Sequence, residues 1–167
     1  QIIDEAHAQE HSVEVQLPFL QRVLGTFTIL PIVVGDATAQ EVAGMLDHLT
    51  LDTSDLVVIS TDLSHFHTYD EAVRIDGETA ASIVQLSTEL RPEQACGCRP
   101  VNGFNVYARA RGLEVQEVSR CNSGDTAGST DRVVGYGAYT VRPRVELSSG
   151  EDDNNEQFSP PEQERLL

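Results

Sequence analysis

Short apolar runs rich in β-branched residues alternate along this chain with segments of helical periodicity. The runs FTILPIVVG at 27–35 and LVVIS at 56–60 have the composition of strands buried on both faces of a sheet. The segment between them carries apolar residues at helical spacing, namely Val42, Met45, Leu46 and Leu49. Strand, helix and strand in this order predict an α/β fold with a mostly parallel central sheet and helices on both faces.

Further elements follow from local signals. Thr38 and Glu41 have the spacing of a capping box, which predicts a helix start at Thr38. Residues 71–86 and 101–112 are predicted helices, the second ending at Gly112. The segments LEVQEVS at 113–119 and VVGYGAYTV at 133–141 are predicted late strands.

Length and composition suggest one domain followed by a tail. A chain of 167 residues that is 40% hydrophobic can bury one core of ordinary size. We therefore expect a single α/β domain at 1–142. Residues 143–167 are rich in acidic residues and proline and poor in apolar ones, which predicts a disordered acidic tail.

The charge of the chain restricts its partners. Its formal net charge is −16, and all 11 basic residues are arginine. Nucleic acid and anionic membranes are bound through basic patches, so we expect neither as a partner. Three cysteines that cannot all pair within the chain suit a reducing compartment, and we expect a cytoplasmic protein.

His7, Glu10 and His11 spell the H-x-x-E-H pattern of inverted zinc peptidases. On a helix the two histidines would share one face, and Glu10 would polarise a metal-bound water. Pro18 and the alternation of apolar residues after His11 argue against one long helix here. The apolar residues that follow also predict that His11 is buried and needs polar partners.

Two further segments carry candidate site residues. Asp62 and His65 in ISTDLSHF follow the second predicted strand directly, at the edge where parallel sheets bind ligands. An aspartate three residues before a histidine can orient the imidazole for proton transfer or metal binding, and it can equally cap a helix. In ACGCRPV, Cys96 precedes a predicted helix start with Pro100 at the first helical position, and the helix dipole there favours a thiolate. We rank Cys98 below Cys96 as a ligand and expect Cys121 to be structural.

These motifs together, with NSGDTAG and VVGYGAYTV after them, resemble the Memo family, known in bacteria and archaea as AmmeMemoRadiSam system protein B. The resemblance runs from Asp4 to Val141. It implies a fold similar to class III extradiol dioxygenases and an iron(II) or copper(I) ion held by His11, Cys96 and one further histidine. It also implies that Asp62 and His65 line the pocket and handle protons.

The further histidine of the family has no counterpart in this sequence, and we expect it upstream of Gln1, with the first strand and helix of the fold. Metal binding by the remaining ligands should then be weak. Three functions stay open: a metal protein with redox or oxygen chemistry, a non-catalytic module that binds a peptide or sequesters metal, and the zinc peptidase. An unidentified small molecule or peptide is the expected partner.

Overall fold

A computed structural model describes residues 4–49, 52, 54–126 and 128–144 of the chain. Helices and strands are both present, as predicted for an α/β protein, but they do not alternate strictly among the described residues. In chain order the elements are α1 (Leu17–Val23), α2 (Ala39–His48), β1 (His65–His67), α3 (Tyr69–Val84), α4 (Cys98–Ala110), β2 (Leu113–Asn122) and β3 (Val133–Pro143), with short 3-10 turns at Asp4–Ala6 and Ser123–Asp125.

The sheet formed by the described residues is antiparallel, with strand order β1-β3-β2. Strands β2 and β3 pair over most of their length, from Leu113 opposite Pro143 to Asn122 opposite Gly135. Both were predicted as strands, and both predictions are confirmed. The short β1 adds to the other edge of β3. It was not predicted, because three residues are too few to show a strand period.

The mostly parallel sheet is not confirmed. Residues 27–35 and 56–60 belong to none of the strands in the part of the chain described here. Their β-branched composition favours extended backbone, but a strand also needs a neighbour about 4.8 Å away with which to exchange hydrogen bonds. Both runs expose large apolar side chains; Leu30 is 70% exposed and Leu56 is 64% exposed.

The helices follow their local signals closely. Thr38 caps α2, accepting from the Glu41 amide at 3.2 Å while the Glu41 carboxylate accepts from the Thr38 amide at 2.8 Å, so the capping box is confirmed. Helix α2 packs against α4. Gly103 makes this contact close, since a Cβ there would collide with the side chain of Val42. Gly112 has a φ of 62° just after α4, as predicted for the helix end.

The hydrophobic core lies where α3, α4 and β2 meet. Its buried members include Leu63 from the ISTDLSHF segment and Cys98 from the first turn of α4. Each is therefore an anchor for a segment that carries candidate site residues. Among the described helices, none has the length and apolar character needed to cross a membrane.

The predicted acidic tail at 143–167 lies almost wholly outside the described residues, which end at residue 144.

Candidate metal centre

The loop that carries Asp62 and His65 is held by backbone hydrogen bonds to β3. The Leu63 amide donates to the Gly135 carbonyl, and the Gly135 amide donates to the Ser64 carbonyl, both at 2.8 Å. Leu63 and Ser64 are buried, at 1% and 0% exposure. The two residues that flank them, Asp62 and His65, are only partly buried. The core thus holds the middle of the loop and leaves an acid and an imidazole accessible at its ends.

A bulge follows directly. His65 is opposite Val134 and His67 is opposite Val133, with a register shift between them. Phe66 has a φ of 64°, a left-handed conformation that is rare for a residue with a large side chain. Bulges commonly re-aim side chains beside functional sites. His67 pairs with Glu71 at 3.2 Å and lies outside the group formed by Asp62, His65 and Cys96.

The cysteine segment contacts this loop at Thr61 and Asp62. Helix α4 begins at Cys98 with Gly97 as its N-cap, so Cys96 lies just ahead of the helix as predicted. Pro100 is the third helical residue rather than the first, because the helix starts two residues earlier than predicted. The Cys96 sulfur accepts from the Asp62 amide at 3.3 Å. The Thr61 hydroxyl joins the two segments, accepting from the Gly97 amide at 2.7 Å and donating to the Asp62 carbonyl at 2.8 Å.

Three side chains converge at this junction. One donor atom each from Asp62, His65 and Cys96 lies within 4.8 Å of the other two. The Nε2 of His65 is 3.4 Å from Oδ2 of Asp62. Carboxylate, imidazole and thiolate are all transition-metal ligands. Asp62 and His65 are partly exposed and Cys96 is exposed, which leaves room for a further ligand or a substrate. The arrangement is therefore chemically suited to one metal ion.

His11 lies outside this group in the described structure. Its Nδ1 is 2.7 Å from Oε1 of Glu14, and its side chain is 75% exposed. The prediction that His11 is buried is wrong, because the helix that follows it, α1, buries none of its residues. The apolar residues after His11 have a helical spacing, but a spacing alone does not supply a surface to pack against.

The H-x-x-E-H segment does not form the helix that an inverted zinc peptidase needs. Residues 7–11 follow a 3-10 turn and run as turns and irregular backbone. The Glu10 carboxylate accepts from the Ser12 amide at 2.8 Å, and this bond is the main cause that lowers the pKa of Glu10. The local turn therefore accounts for the lowered pKa of Glu10, and no metal-bound water is needed to explain it.

The remaining cysteines differ from Cys96. Cys98 is 4% exposed in the hydrophobic core, and burial raises the pKa of its thiol, which disfavours the thiolate that a metal requires. This agrees with the lower rank that the sequence suggested for it. Cys121 is exposed on β2 opposite Tyr136, so no burial supports a structural role for it.

Sequence reasoning missed the residues that join the segments. Gly97 has no side chain, and a Cβ there would lie 2.6 Å from Cβ of Thr61. Asp76 on α3 is buried and accepts from the Ser64 amide at 2.9 Å. The available signal for Asp76 was an acidic residue on the same helical face as the buried Ala72, Thr79 and Ala80.

Known proteins resemble this chain over most of its length. The family model described as Memo-like protein matches residues 2–140. A MEMO1 family protein of Thermoplasma volcanium is 32% identical over 149 residues, covering 83% of this chain and 55% of the relative. One from Methanosarcina mazei is 36% identical over 149 residues, covering 81% and 56%. One from Methanobrevibacter smithii is 35% identical over 144 residues, covering 78% and 51%. The chain spans about half the length of these curated relatives.

Proposed function

We propose, from the premise that this chain belongs to the Memo-like protein family, that it binds one iron or copper ion at Cys96, His65 and Asp62. The observation that carries the proposal is the approach of these three donor atoms to within 4.8 Å of one another. They come from two segments that are 34 residues apart between Asp62 and Cys96. Local sequence does not bring such residues together, so their proximity is a property of the fold.

The donor set fits these ions. A thiolate and an imidazole suit both iron and copper, and a carboxylate adds an oxygen donor that suits iron. Bound there, iron or copper would supply one-electron redox chemistry and a place for oxygen to bind. Before an ion binds, the Asp62 carboxylate orients the His65 ring, and the Asp62 amide stabilises negative charge on the Cys96 sulfur.

The proposal assigns Asp62 and His65 to the ion directly, whereas the family resemblance placed them beside it as proton carriers. Their distances support the change. A donor atom of each group lies within 4.8 Å of the Cys96 sulfur, close enough for all three to bind one ion. His11 instead pairs with Glu14 on the surface. We propose His11 only as an additional ligand, secondary to Cys96, His65 and Asp62.

The test is metal binding by matched cysteine variants. The protein is titrated anaerobically with Fe(II) and Cu(I), and with Co(II) as a spectroscopic probe of thiolate ligation. We expect one equivalent to bind with a thiolate-to-cobalt charge-transfer band. Cys96→Ser should lose the band and weaken binding about 100-fold, because the soft ligand is gone.

Cys121→Ser is the control, since it removes an exposed thiol on β2 and leaves the junction intact. It should bind like the unmodified protein. Equal metal content and an equal spectrum in the Cys96→Ser protein would refute the proposal. Turnover assays with oxygen on the loaded protein then separate an enzyme from a module that only sequesters metal.

We also propose that residues 27–35 and 56–60 are strands of a mostly parallel sheet of the extradiol dioxygenase kind. Both runs have a β-branched composition and expose apolar side chains that a neighbouring strand or helix could cover, and neither is paired with a strand among the described residues. Amide hydrogen exchange tests it, because strands in a sheet protect alternate or successive amides for hours, whereas solvated extended backbone exchanges rapidly.

A further inference from the structure

We infer that Asp76 is a positioning residue for the metal centre, because its buried carboxylate holds the backbone of the loop that carries Asp62 and His65. The inference rests on the proposed function, since the loop matters for metal binding only if those residues hold the ion. Asp76 itself lies on α3, outside the three-residue metal group. It acts through Ser64, whose amide donates to its Oδ1 at 2.9 Å.

Asp76 occupies a buried position where a carboxylate is energetically unfavourable. It is 2% exposed, and no ion pair among the described residues includes it. Burying a carboxylate without a cation is costly, so acidic residues in such places are usually retained for a specific hydrogen bond. An apolar residue would fill the same space at lower cost if packing were the only requirement.

The chain makes room for this carboxylate on the neighbouring strand. A Cβ on Gly135 of β3 would collide with both carboxylate oxygens of Asp76. The same glycine exchanges two backbone hydrogen bonds with Leu63 and Ser64. Helix α3, strand β3 and the site loop therefore meet at one point. There, Gly135 of β3 contacts both Asp76 of α3 and the loop residues Leu63 and Ser64.

Three successive amides of the loop are directed to three different elements. The Asp62 amide donates to the Cys96 sulfur at 3.3 Å, the Leu63 amide to the Gly135 carbonyl at 2.8 Å, and the Ser64 amide to Asp76 at 2.9 Å. Each bond fixes one peptide plane. The last of them fixes the peptide between Leu63 and Ser64, one residue before His65, so it helps to set the direction of the His65 ring.

The Ser64 side chain does not share this task. Its Oγ is buried and has no hydrogen-bond partner among the described residues. The interaction with Asp76 is thus made by the main chain. Only an acceptor at position 76 can satisfy it, whatever residue occupies position 64.

The experiment compares two substitutions of Asp76. Asp76→Asn keeps an oxygen that can accept from the Ser64 amide, while Asp76→Leu has a similar shape and no acceptor. Thr79→Val is the control, because Thr79 is equally buried on the same helix and its hydroxyl donates to the Ile75 carbonyl and accepts from Gln94 at 3.5 Å without touching the Ser64 amide. Thermal unfolding followed by circular dichroism verifies that each variant is folded.

Two readouts are measured on each protein. The first is exchange of the Ser64 amide without metal, observed by NMR, which is independent of the proposed function. The second is Co(II) affinity and its charge-transfer spectrum. We expect Asp76→Leu to speed Ser64 exchange and weaken Co(II) binding about tenfold or more, as loss of a supporting hydrogen bond does at metal sites. Asp76→Asn should stay within about threefold of the unmodified protein, as should Thr79→Val.

The outcomes separate the inference from the function. If the unmodified protein binds no metal, the proposed function fails. Ser64 exchange that is fast in Asp76→Leu and slow in Asp76→Asn would still support the part of the inference in which Asp76 holds the loop. If the unmodified protein binds Co(II) and folded Asp76→Leu binds it equally well, the inference is overturned. Where Asp76→Leu does not fold, Asp76→Asn decides, because a Ser64 amide that exchanges rapidly in that variant contradicts the acceptor role.

Discussion

The amide of Asp62 donates to the sulfur of Cys96 across 3.3 Å, although the two residues are 34 positions apart. This bond joins the loop before β1 to the segment before α4. It places a hydrogen-bond donor on the one cysteine that lies beside a carboxylate and an imidazole. The centre is therefore assembled at a junction of two loops, and its integrity depends on small residues that let the loops approach.

Gly97→Ala should disrupt this junction. A Cβ at Gly97 would lie 2.6 Å from Cβ of Thr61 and 2.8 Å from its hydroxyl, so Thr61 must move and the bond from the Gly97 amide is lost. We expect a loss of about 1–3 kcal/mol in unfolding free energy together with weaker Co(II) binding. Urea denaturation and Co(II) titration measure the two effects. A variant with unchanged metal affinity would contradict the role of this contact.

Gly112→Ala and Gly44→Ala should change stability in opposite directions. Neither added Cβ would meet a neighbouring atom within 4 Å, so only the backbone differs. Gly112 has a φ of 62°, where alanine is strained by about 1 kcal/mol. Gly44 lies inside α2, where alanine stabilises by about 0.5–1 kcal/mol. Chemical denaturation of both variants tests this, and a shift of the same sign in the two would show the assignment of either backbone to be mistaken.

Gly103→Ala should loosen the contact between α2 and α4. The new methyl group would collide with the Val42 side chain and lie 3.1 Å from the Ala39 carbonyl oxygen. Overpacking of this kind costs about 1–3 kcal/mol. Val42→Gly, which removes both clashing atoms of that side chain, should recover part of the loss, and a double-mutant cycle measures the recovery. Additive effects of the two substitutions would indicate that they do not share one contact.

Tyr139→Phe should raise stability and reduce its loss at high pH. Burial, followed by the negative charge of Glu117, raises the pKa of Tyr139 to about 12 from 10.0. The folded state thus retains a proton that the unfolded state releases, so this contribution is complete below pH 10 and is lost as the pH rises towards 12. The hydroxyl is also buried with no partner among the described residues, and its removal should stabilise by about 1 kcal/mol at neutral pH.

Urea denaturation at pH 8 and pH 11 tests the Tyr139 prediction. The difference in unfolding free energy between Tyr139→Phe and the unmodified protein should grow between the two pH values. Comparing the two proteins cancels the titration of the other tyrosines. A constant difference would mean that Tyr139 ionises as it does in the unfolded chain.

Much of the fold follows from signals within short segments. The capping box at Thr38, the C-terminal end of α4 and the late strands were all predicted, because each depends on residues within one or two turns or on one strand period. The sheet itself was not. Strand pairing is decided by partners that are distant in sequence. The 27–35 run therefore has the composition of a strand but belongs to no strand of the described sheet, whereas β1 has no strand signal and pairs with β3.

The candidate centre divides in the same way. Sequence alone determined that Cys96 precedes a helix and that Asp62 and His65 share one loop, since these relations are set by local backbone geometry. Only the tertiary structure brought the two segments together, with His11 outside their three-residue group in the described part of the chain. It also placed Asp76 beneath the loop. The physical reason is that such contacts depend on which surfaces the core brings together and on where a missing side chain, as at Gly97 and Gly135, allows two backbones to approach.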